Sequence, residues 1–266
     1  MLPFYGNVLN TAHTILLMAS IVKLISDLVN QKITAAFSQK KGLLYSQKPL
    51  ISFTFDDFPA SSYFQALPIL DKYGIKATYY VAMGLEGRNM FNESLFSKEM
   101  VAELQRNGHE IASHTFNHLR CRDIKSDELR QDLNRNNQAL TELTGEPVFS
   151  FSYPYGDLSV GSKKITGQLF TSSRGIQPGI NAKVVDLNLL KANKIYSQLP
   201  LSSPLGLIRQ NAERKGWLVF YTHDVKSNPS PYGCTPEYFE EVVKSAVESG
   251  AEIVTVRQAS GFVTLK

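Results

Sequence analysis

The chain has 266 residues, of which 43% are hydrophobic, so it is long enough to bury the core of one large α/β domain. Its 28 basic and 24 acidic residues give a formal net charge of +4, and the basic residues are scattered, which argues against a nucleic-acid-binding surface. The two cysteines, Cys121 and Cys234, lie outside any CxxC spacing. We interpret them as free thiols, because neither a disulfide framework nor a thiolate zinc site is indicated.

The N-terminal segment is predicted to form an amphipathic helix. Its apolar residues recur at helical spacing at Ile15, Met18, Val22, Ile25 and Val29. Lys23 and Asp27 interrupt the run, so it is too short for a membrane span of ~20 residues. The segment also lacks the basic start and the cleavage site of a secretory signal. We therefore expect residues 1–42 to be a helix and linker packed on the domain of a cytoplasmic protein, with membrane-surface binding as the alternative.

Predicted strands and helices alternate from residue 51 onward. The strands cover residues 51–55, 76–83, 110–113, 148–152, 169–173, 193–198, 217–222 and 252–256. The helices cover residues 63–72, 97–106, 126–144, 163–168, 204–214 and 236–249. This alternation predicts a parallel sheet with crossover helices, and the number of units favours a closed or nearly closed barrel. Because there is no GxGxxG or Walker motif, a nucleotide cofactor is not indicated.

Reactive side chains follow several of these strands. They are Asp56, Asp57, His114, Tyr155 and His223. The carboxyl ends of the strands form the active site of parallel barrels, so these residues are expected to share one rim. If residues 113–118 make one helical turn, His114 and His118 project to the same side. Two histidines and a carboxylate leave positions open for water and substrate, as in catalytic zinc sites.

Four short segments carry a family pattern together. They are Thr-Phe-Asp-Asp at 54–57, His-Thr-Phe-Asn-His at 114–118, Tyr-Pro-Tyr-Gly at 153–156 and the apolar strand that reaches His223. In this order and spacing they resemble the polysaccharide deacetylase family, also known as the NodB-homology or carbohydrate esterase 4 family. The resemblance runs from about residue 50 to residue 265. It implies a single-domain α/β fold over residues 43–266, a distorted (β/α)7-type barrel with its active site at the C-terminal ends of the strands.

The resemblance implies a metal centre. Asp57, His114 and His118 would bind one divalent metal, with zinc expected and cobalt or nickel as alternatives. A metal of this kind lowers the pKa of a bound water and polarises a carbonyl oxygen. The partner is then an N-acetylated carbohydrate, and the oligomeric state is left open.

The same resemblance assigns proton transfer to the neighbouring residues. Asp56 would be the general base, and the backbone N–H of Tyr155 would stabilise the oxyanion. His223 would be the general acid, because an amide nitrogen leaves poorly unless it is protonated. Many family members have an Arg where this chain has Ser152. We expect Arg174, at the end of the next predicted strand, to approach Asp56 and to replace that missing guanidinium.

The function implied is removal of N-acetyl groups from an amino sugar in a polysaccharide, glycolipid or nucleotide-linked precursor, as in surface-polysaccharide synthesis. A hydrolase of a non-sugar amide such as an imide or ureide is an alternative, because Phe58 and Ser152 depart from the family pattern. An inactive carbohydrate-binding relative is a further alternative. Two further ionisable residues lie near the motifs, and neither is assigned a catalytic role. Asp224 either orients His223 or begins a loop, and His109 is expected to be structural.

Overall fold

The computed structural model describes residues 40–266 continuously, and before them residues 13–14, 17–18, 20–21, 32–34 and 36–37. The chain divides into two compact units, Met1–Phe37 and Ser38–Lys266. Of the five apolar residues that predict an N-terminal helix, only Met18 is described, and it is helical and exposed. The other four lie outside the described residues, and packing of this segment on the domain or on a membrane surface stays a prediction. No helix within the described residues is both long and apolar enough to span a bilayer.

The larger unit contains thirteen strands and seven α-helices in residues 40–266. The strands are β1 (Lys41–Leu44), β2 (Leu50–Asp56), β3 (Thr78–Val81), β4 (Asn89–Met90), β5 (Glu93–Ser94), β6 (Glu110–Ser113), β7 (Ser150–Ser152), β8 (Ser172–Arg174), β9 (Val184–Asp186), β10 (Asn193–Lys194), β11 (Trp217–Thr222), β12 (Glu252–Ile253) and β13 (Val263–Leu265). The helices are α1 (Leu67–Lys72), α2 (Lys98–Arg106), α3 (Ser126–Thr144), α4 (Val160–Leu169), α5 (Ser202–Arg214), α6 (Pro236–Glu248) and α7 (Val256–Ser260). A π-helical turn at Ser62–Ala66 leads into α1, and short 3-10 turns lie at Met83–Leu85 and Pro154–Gly156.

A curled sheet of parallel strands forms the centre of this unit. Its order is β10-β11-β2-β3-β6-β7-β8. The strand β11 pairs with β2 along its length, whereas β12 and β3 share the other edge of β2, at its first and last residues respectively. The segment before β10 also hydrogen bonds to β8, through Leu190 N–H to Ser173 O at 2.8 Å. The predicted α/β fold, a distorted (β/α)7-type barrel, is therefore confirmed.

The central strands are where the sequence pattern is strongest. β2 is buried along its whole length, as expected for a parallel strand covered on both faces. Its Phe53 packs between Phe220 of β11 and Phe239 of α6, with ring centroids 5.8 and 5.9 Å away. The predicted cap of α2 is present, since Ser97 Oγ accepts a hydrogen bond from Met100 N–H. The helix α3 ends, as predicted, at Gly145, whose φ of 73° lies in the left-handed region.

Several parts of the fold differ from the prediction. The predicted strand over residues 252–256 ends at Ile253, and the helix α7 begins at Val256. Two further sheets were not predicted. The strands β1, β9 and β13 form a separate antiparallel sheet, in which Gly42 pairs with Val185 and Leu265. These partners lie more than a hundred residues away in sequence, so no local periodicity predicts the sheet. The strands β4 and β5 form a small hairpin inside what the sequence predicts as a loop. Both elements are too short for a period-two pattern to distinguish them from loops.

Candidate metal centre and active site

The paired aspartates lie at the carboxyl end of β2. Asp56 is the last residue of the strand, and Asp57 and Phe58 follow it with φ values of 60° and 51°. Two successive left-handed residues turn the chain sharply, which is costly for residues other than glycine. Phe58 is fully buried against Tyr79 and Phe96, at ring-centroid distances of 4.9 and 5.4 Å. This packing stabilises the turn in a chain that lacks glycine there.

The two histidines of the second motif follow β6, but not on a helical turn. Thr115 and His118 have φ values of 60° and 54°, so the expected helical turn over residues 113–118 is wrong. The loop is closed by its own side chains instead: Thr115 Oγ1 accepts a hydrogen bond from Leu119 N–H at 2.9 Å. Both imidazoles nevertheless converge, with ring centroids 5.0 Å apart.

Asp57, His114 and His118 meet at one point. Their ligand atoms lie within 4.8 Å of one another, and in the described part of the chain this is the one such group of three. Asp57 Oδ1 is 2.9 Å from His118 Nε2 and 3.5 Å from His114 Nε2. That oxygen is buried and lacks an aligned hydrogen-bond donor among the described residues. Two imidazole nitrogens and a buried carboxylate oxygen fit a catalytic zinc site, in which further positions stay open.

Neighbouring groups orient both imidazoles. His114 Nδ1 donates to the Ser152 carbonyl at 2.7 Å, which leaves Nε2 unprotonated and directed at Asp57. His118 Nδ1 lies 3.0 Å from the Tyr155 hydroxyl. Burial lowers the pKa of His114 to about 4, although the charges of Asp56 and Asp57 oppose this. His114 is therefore neutral at neutral pH, as a metal ligand must be.

The carboxylate of Asp57 is held ionised by the same imidazoles. Burial raises the pKa of Asp57, but the hydrogen bond and charge of His118 and the charges of His114 and His223 lower it. These lowering effects outweigh burial, so the net shift of the pKa is downward. An ionised carboxylate among neutral or charged imidazoles is the state that binds a divalent cation.

Asp56 faces a buried guanidinium. Arg174 Nη2 donates to both carboxylate oxygens of Asp56, and its distance to Oδ2 is 2.5 Å. The same nitrogen donates to Ser152 Oγ at 2.6 Å. Arg174 is fully buried, and its guanidinium carbon lies 4.9 Å from the ring centroids of both Tyr80 and Tyr221. Burial lowers the pKa of Arg174, but the charge of Asp56 and the other partners outweigh it, so the pKa is raised.

His223 approaches the group from the end of β11. Its Nε2 is 3.8 Å from Asp57 Oδ2, and its Nδ1 lies 3.1 Å from the Tyr232 carbonyl. A carbonyl only accepts, so Nδ1 carries the proton of the neutral ring and Nε2 faces the centre. Asp224 does not contact this imidazole: it accepts hydrogen bonds from Ser230 N–H and Oγ. The sequence left open whether Asp224 orients His223 or begins a loop, and these contacts show that it stabilises the loop.

Tyr155 lies at the rim beside His118. Its φ of 59° and its place at the second position of a 3-10 turn leave its N–H without an intrahelical partner. Its side chain is 52% exposed, and Arg120 covers its ring at 4.2 Å. The structure thus brings together all seven residues that the sequence predicts for the site: Asp56, Asp57, His114, His118, Tyr155, Arg174 and His223.

Two residues of α3 that the sequence patterns did not single out support the loop that carries the histidines. Asp132 of α3 accepts hydrogen bonds from Phe116 N–H and Asn117 Nδ2, both at 2.6 Å. Asn136, one turn later, accepts from Met83 N–H and donates to the Ser113 hydroxyl, both at 2.9 Å. A signal was available, because both polar residues fall on the buried face of α3 among its leucines.

Two residues near the motifs have structural roles. His109 Nδ1 accepts a hydrogen bond from Ala77 N–H at 3.1 Å, as expected for a structural histidine, and burial lowers its pKa to about 4. Cys121 is buried in an apolar cluster with Leu129, Leu133 and Phe151, and burial raises the pKa of its thiol. Its thiol is thus a packing group, and among the described residues it is not part of the group formed by Asp57, His114 and His118.

The sequence of the chain is similar to those of known polysaccharide deacetylases. Residues 45–170 match the family described as polysaccharide deacetylase. Over 130 residues the chain is 31% identical to the poly-beta-1,6-N-acetyl-D-glucosamine N-deacetylase of Staphylococcus aureus, which covers 45% of this chain and 44% of the relative. The aligned segment covers less than half of the first curated relatives, between 16% and 44% of their lengths.

Solved structures share the fold. A family 4 acetyl xylan esterase from Clostridium thermocellum, in complex with a cobalt ion, superposes with a TM-score of 0.58 at 21% identity, over 79% of this chain and 89% of that chain. A CE4 family pseudoenzyme from Bacillus anthracis superposes with a TM-score of 0.55 at 15% identity, over 81% of this chain and 66% of that chain. At these identities the likeness shows the architecture alone, so activity must be argued from the site.

Proposed function

We propose that this chain, whose residues 45–170 match the polysaccharide deacetylase family, is a metal-dependent deacetylase of an amino sugar in a glycan or a glycan precursor. Members of that family hydrolyse N-acetyl amide bonds. The observation that carries the proposal is the convergence of Asp57, His114 and His118 at the carboxyl ends of β2 and β6. A pseudoenzyme with the same fold shows that the fold does not guarantee activity, but the complete ligand set supports it here.

Asp57, His114 and His118 hold the metal in this proposal, and zinc suits their two imidazoles and one carboxylate. When bound, the metal polarises the acetyl carbonyl and makes a water more acidic. The buried Asp57 contributes charge, while the carbonyl of Ser152 fixes the imidazole of His114. These contacts orient the ligands before a metal binds.

Proton transfer falls to the two residues on either side of this group. Asp56 accepts the proton of the attacking water, and Arg174 fixes the orientation of its carboxylate. In its imidazolium form, His223 donates its Nε2 proton to the departing amine and becomes the neutral ring, whose remaining proton on Nδ1 donates to the Tyr232 carbonyl. The backbone N–H of Tyr155 donates to the oxygen that becomes negative during attack.

The test is release of acetate by protein reconstituted with zinc. The substrates are free N-acetylglucosamine, a nucleotide-linked N-acetyl sugar, and N-acetylglucosamine pentamers with β-1,4 and β-1,6 linkages. We expect acetate release from at least one substrate and a loss of at least ~100-fold in kcat for Asp56→Asn, the cost of removing a general base. Full activity of Asp56→Asn would show that the assigned base is wrong. Release of no acetate by the wild-type protein would refute the proposed function.

A further inference from the structure

Four aromatic rings surround His223. Those of Tyr196 and Tyr221 are buried behind it, at centroid distances of 6.2 and 6.5 Å. Phe91 and Tyr232 lie closer, at 5.5 and 5.7 Å, and are not buried. Tyr232 is 53% exposed, and the rings of Phe91 and Tyr232 are 6.2 Å apart. Tyr232 is therefore open to a ligand beside the imidazole, and Phe91, which also packs against the main core, is half-buried and keeps part of its surface exposed next to it.

Phe91 is held in place at the tip of the hairpin formed by β4 and β5. Phe91 and Asn92 have φ values of 55° and 58°, the pattern of a two-residue type I′ turn. Asparagine is favoured in such a turn, but phenylalanine is not, so the turn is strained at the residue that meets His223. Lys226 donates to the carbonyl of Phe91 and to Glu93 Oε1, which ties the hairpin to the loop after β11.

The other strand of the hairpin is tied down as well. Glu93 accepts hydrogen bonds from Ser61 N–H at 2.6 Å and from Ser61 Oγ at 3.0 Å. Ser61 Oγ in turn accepts from Val225 N–H at 3.1 Å, two residues after His223. The hairpin, the segment after the paired aspartates and the loop after β11 thus form one network, and Phe91 is preorganised at its position.

We propose that Phe91 and Tyr232 form a sugar subsite that binds the pyranose ring of the amino sugar on the leaving-amine side of the centre. The inference rests on the proposed function, because His223 Nε2 then marks where the departing nitrogen lies. The ring that carries this nitrogen is bonded to it directly, so it must lie next to these two aromatic rings. Aromatic faces suit the C–H groups of a pyranose, while the hydroxyl of an exposed Tyr stays in water.

Binding of the deacetylated product tests this subsite. The probes are glucosamine pentamers with β-1,4 and β-1,6 linkages and, as a ligand without a sugar, acetate, each titrated into zinc-loaded protein by calorimetry. Phe91→Ala and Tyr232→Ala are each expected to weaken binding of at least one pentamer by about tenfold, which corresponds to ~1.4 kcal/mol. Tyr232→Phe keeps the ring and should restore wild-type affinity. Acetate affinity should change less than about twofold, since acetate carries no ring.

Phe64→Ala and Tyr45→Ala are the matched controls, because both rings are exposed, by 57% and 62%, and neither contacts His223. Thermal unfolding verifies that each variant is folded. Wild-type pentamer affinity in both Phe91→Ala and Tyr232→Ala would overturn the subsite, and so would an equal loss of acetate and pentamer affinity, which indicates a distorted centre. If pentamers bind through these rings but no N-acetyl sugar is hydrolysed, the subsite stands and the proposed function fails.

Discussion

Ser152 and Arg174 are adjacent residues on neighbouring strands. They pair in register at the ends of β7 and β8, and Arg174 Nη2 donates to Ser152 Oγ at 2.6 Å. A guanidinium starting from either strand end is therefore close to Asp56. Many family members have the arginine at the end of the strand that corresponds to β7, whereas in this chain Arg174 lies at the end of the next strand, β8. The hydroxyl of Ser152 occupies the position at the end of β7.

The role of Arg174 in orienting Asp56 can be tested by returning the arginine from position 174 to position 152. Arg174→Ser should lower kcat at least ~100-fold, because the carboxylate of Asp56 loses its orientation, and should destabilise the fold by ~3–5 kcal/mol, because a buried charge loses its partner. The double variant Ser152→Arg, Arg174→Ser should recover part of both losses. Acetate-release kinetics and urea unfolding measure them. If Arg174→Ala kept wild-type turnover and the wild-type pH profile, Arg174 would have no positioning role.

His109 predicts a pH dependence of stability. Burial and the charge of Lys76 lower its pKa from 6.5 to about 4, so between these values the unfolded chain binds a proton that the folded chain does not. The free energy of unfolding therefore falls as the pH falls through this window, by up to ~1.4 kcal/mol per pH unit from this residue. His109→Asn keeps an acceptor for Ala77 N–H and should flatten the slope.

Urea unfolding between pH 4 and pH 7 measures the slope for the wild type and the variant. The control is His13→Asn, because His13 is exposed in the smaller unit. Equal slopes for the wild type and His109→Asn would contradict the assignment of this pH dependence to His109.

At the scale of elements, α3 supports the metal centre from outside it. Asp132 anchors Phe116 and Asn117, which lie between the two metal-ligating histidines. Asp132→Ala should weaken zinc binding by about 10- to 100-fold, the usual cost of losing a group that orients ligands. Competition with a chromogenic chelator measures the affinity. Asp127→Ala, on the exposed start of α3, should bind zinc as the wild type does, and an equal affinity of both variants would contradict the supporting role.

The central strands and the site residues were accessible from sequence for a physical reason. β6 and β11 were predicted to the residue. In β11 the signal is a continuous buried apolar run, as expected for a parallel strand, whereas β6 is a short strand of four buried residues. The shared rim was accessible because reactive groups follow the strand ends, whereas the choice of Asp57 with His114 and His118 as ligands came from the family resemblance. The loop that carries His118 was not, since its left-handed residues leave no periodic trace.

The other features that the sequence did not predict depend on contacts between residues that are far apart in the chain. Whether Arg174 reaches Asp56 depends on how β8 and β2 are placed in the curled sheet, and the sequence suggested it only through the resemblance. The hairpin of β4 and β5 is fixed by contacts of its own Glu93 with Ser61 and Lys226, which lie 32 and 133 residues away in sequence. No local pattern connects them.

At the scale of the whole molecule, metal binding should stabilise the larger unit. The site joins the ends of β2, β6 and β11, so a metal that binds only the folded chain raises the free energy of unfolding, by about 2.7 kcal/mol at a metal concentration of 100 Kd. Zinc should raise the unfolding midpoint of chelator-treated protein, and Asp57→Asn should abolish the shift. Asp71→Asn, an exposed carboxylate on α1, is the control and should retain it. A zinc shift of wild-type size in Asp57→Asn would place the metal elsewhere.

We propose that Asp57, His114 and His118 bind one metal on which deacetylation depends. The most direct test titrates zinc into chelator-treated protein and follows acetate release from the best N-acetyl sugar substrate. We predict that the rate rises linearly to one zinc per chain and then stays constant, and that Asp57→Asn shows no such rise. Undiminished acetate release by the chelator-treated protein, or the same titration curve with Asp57→Asn, would contradict the claim.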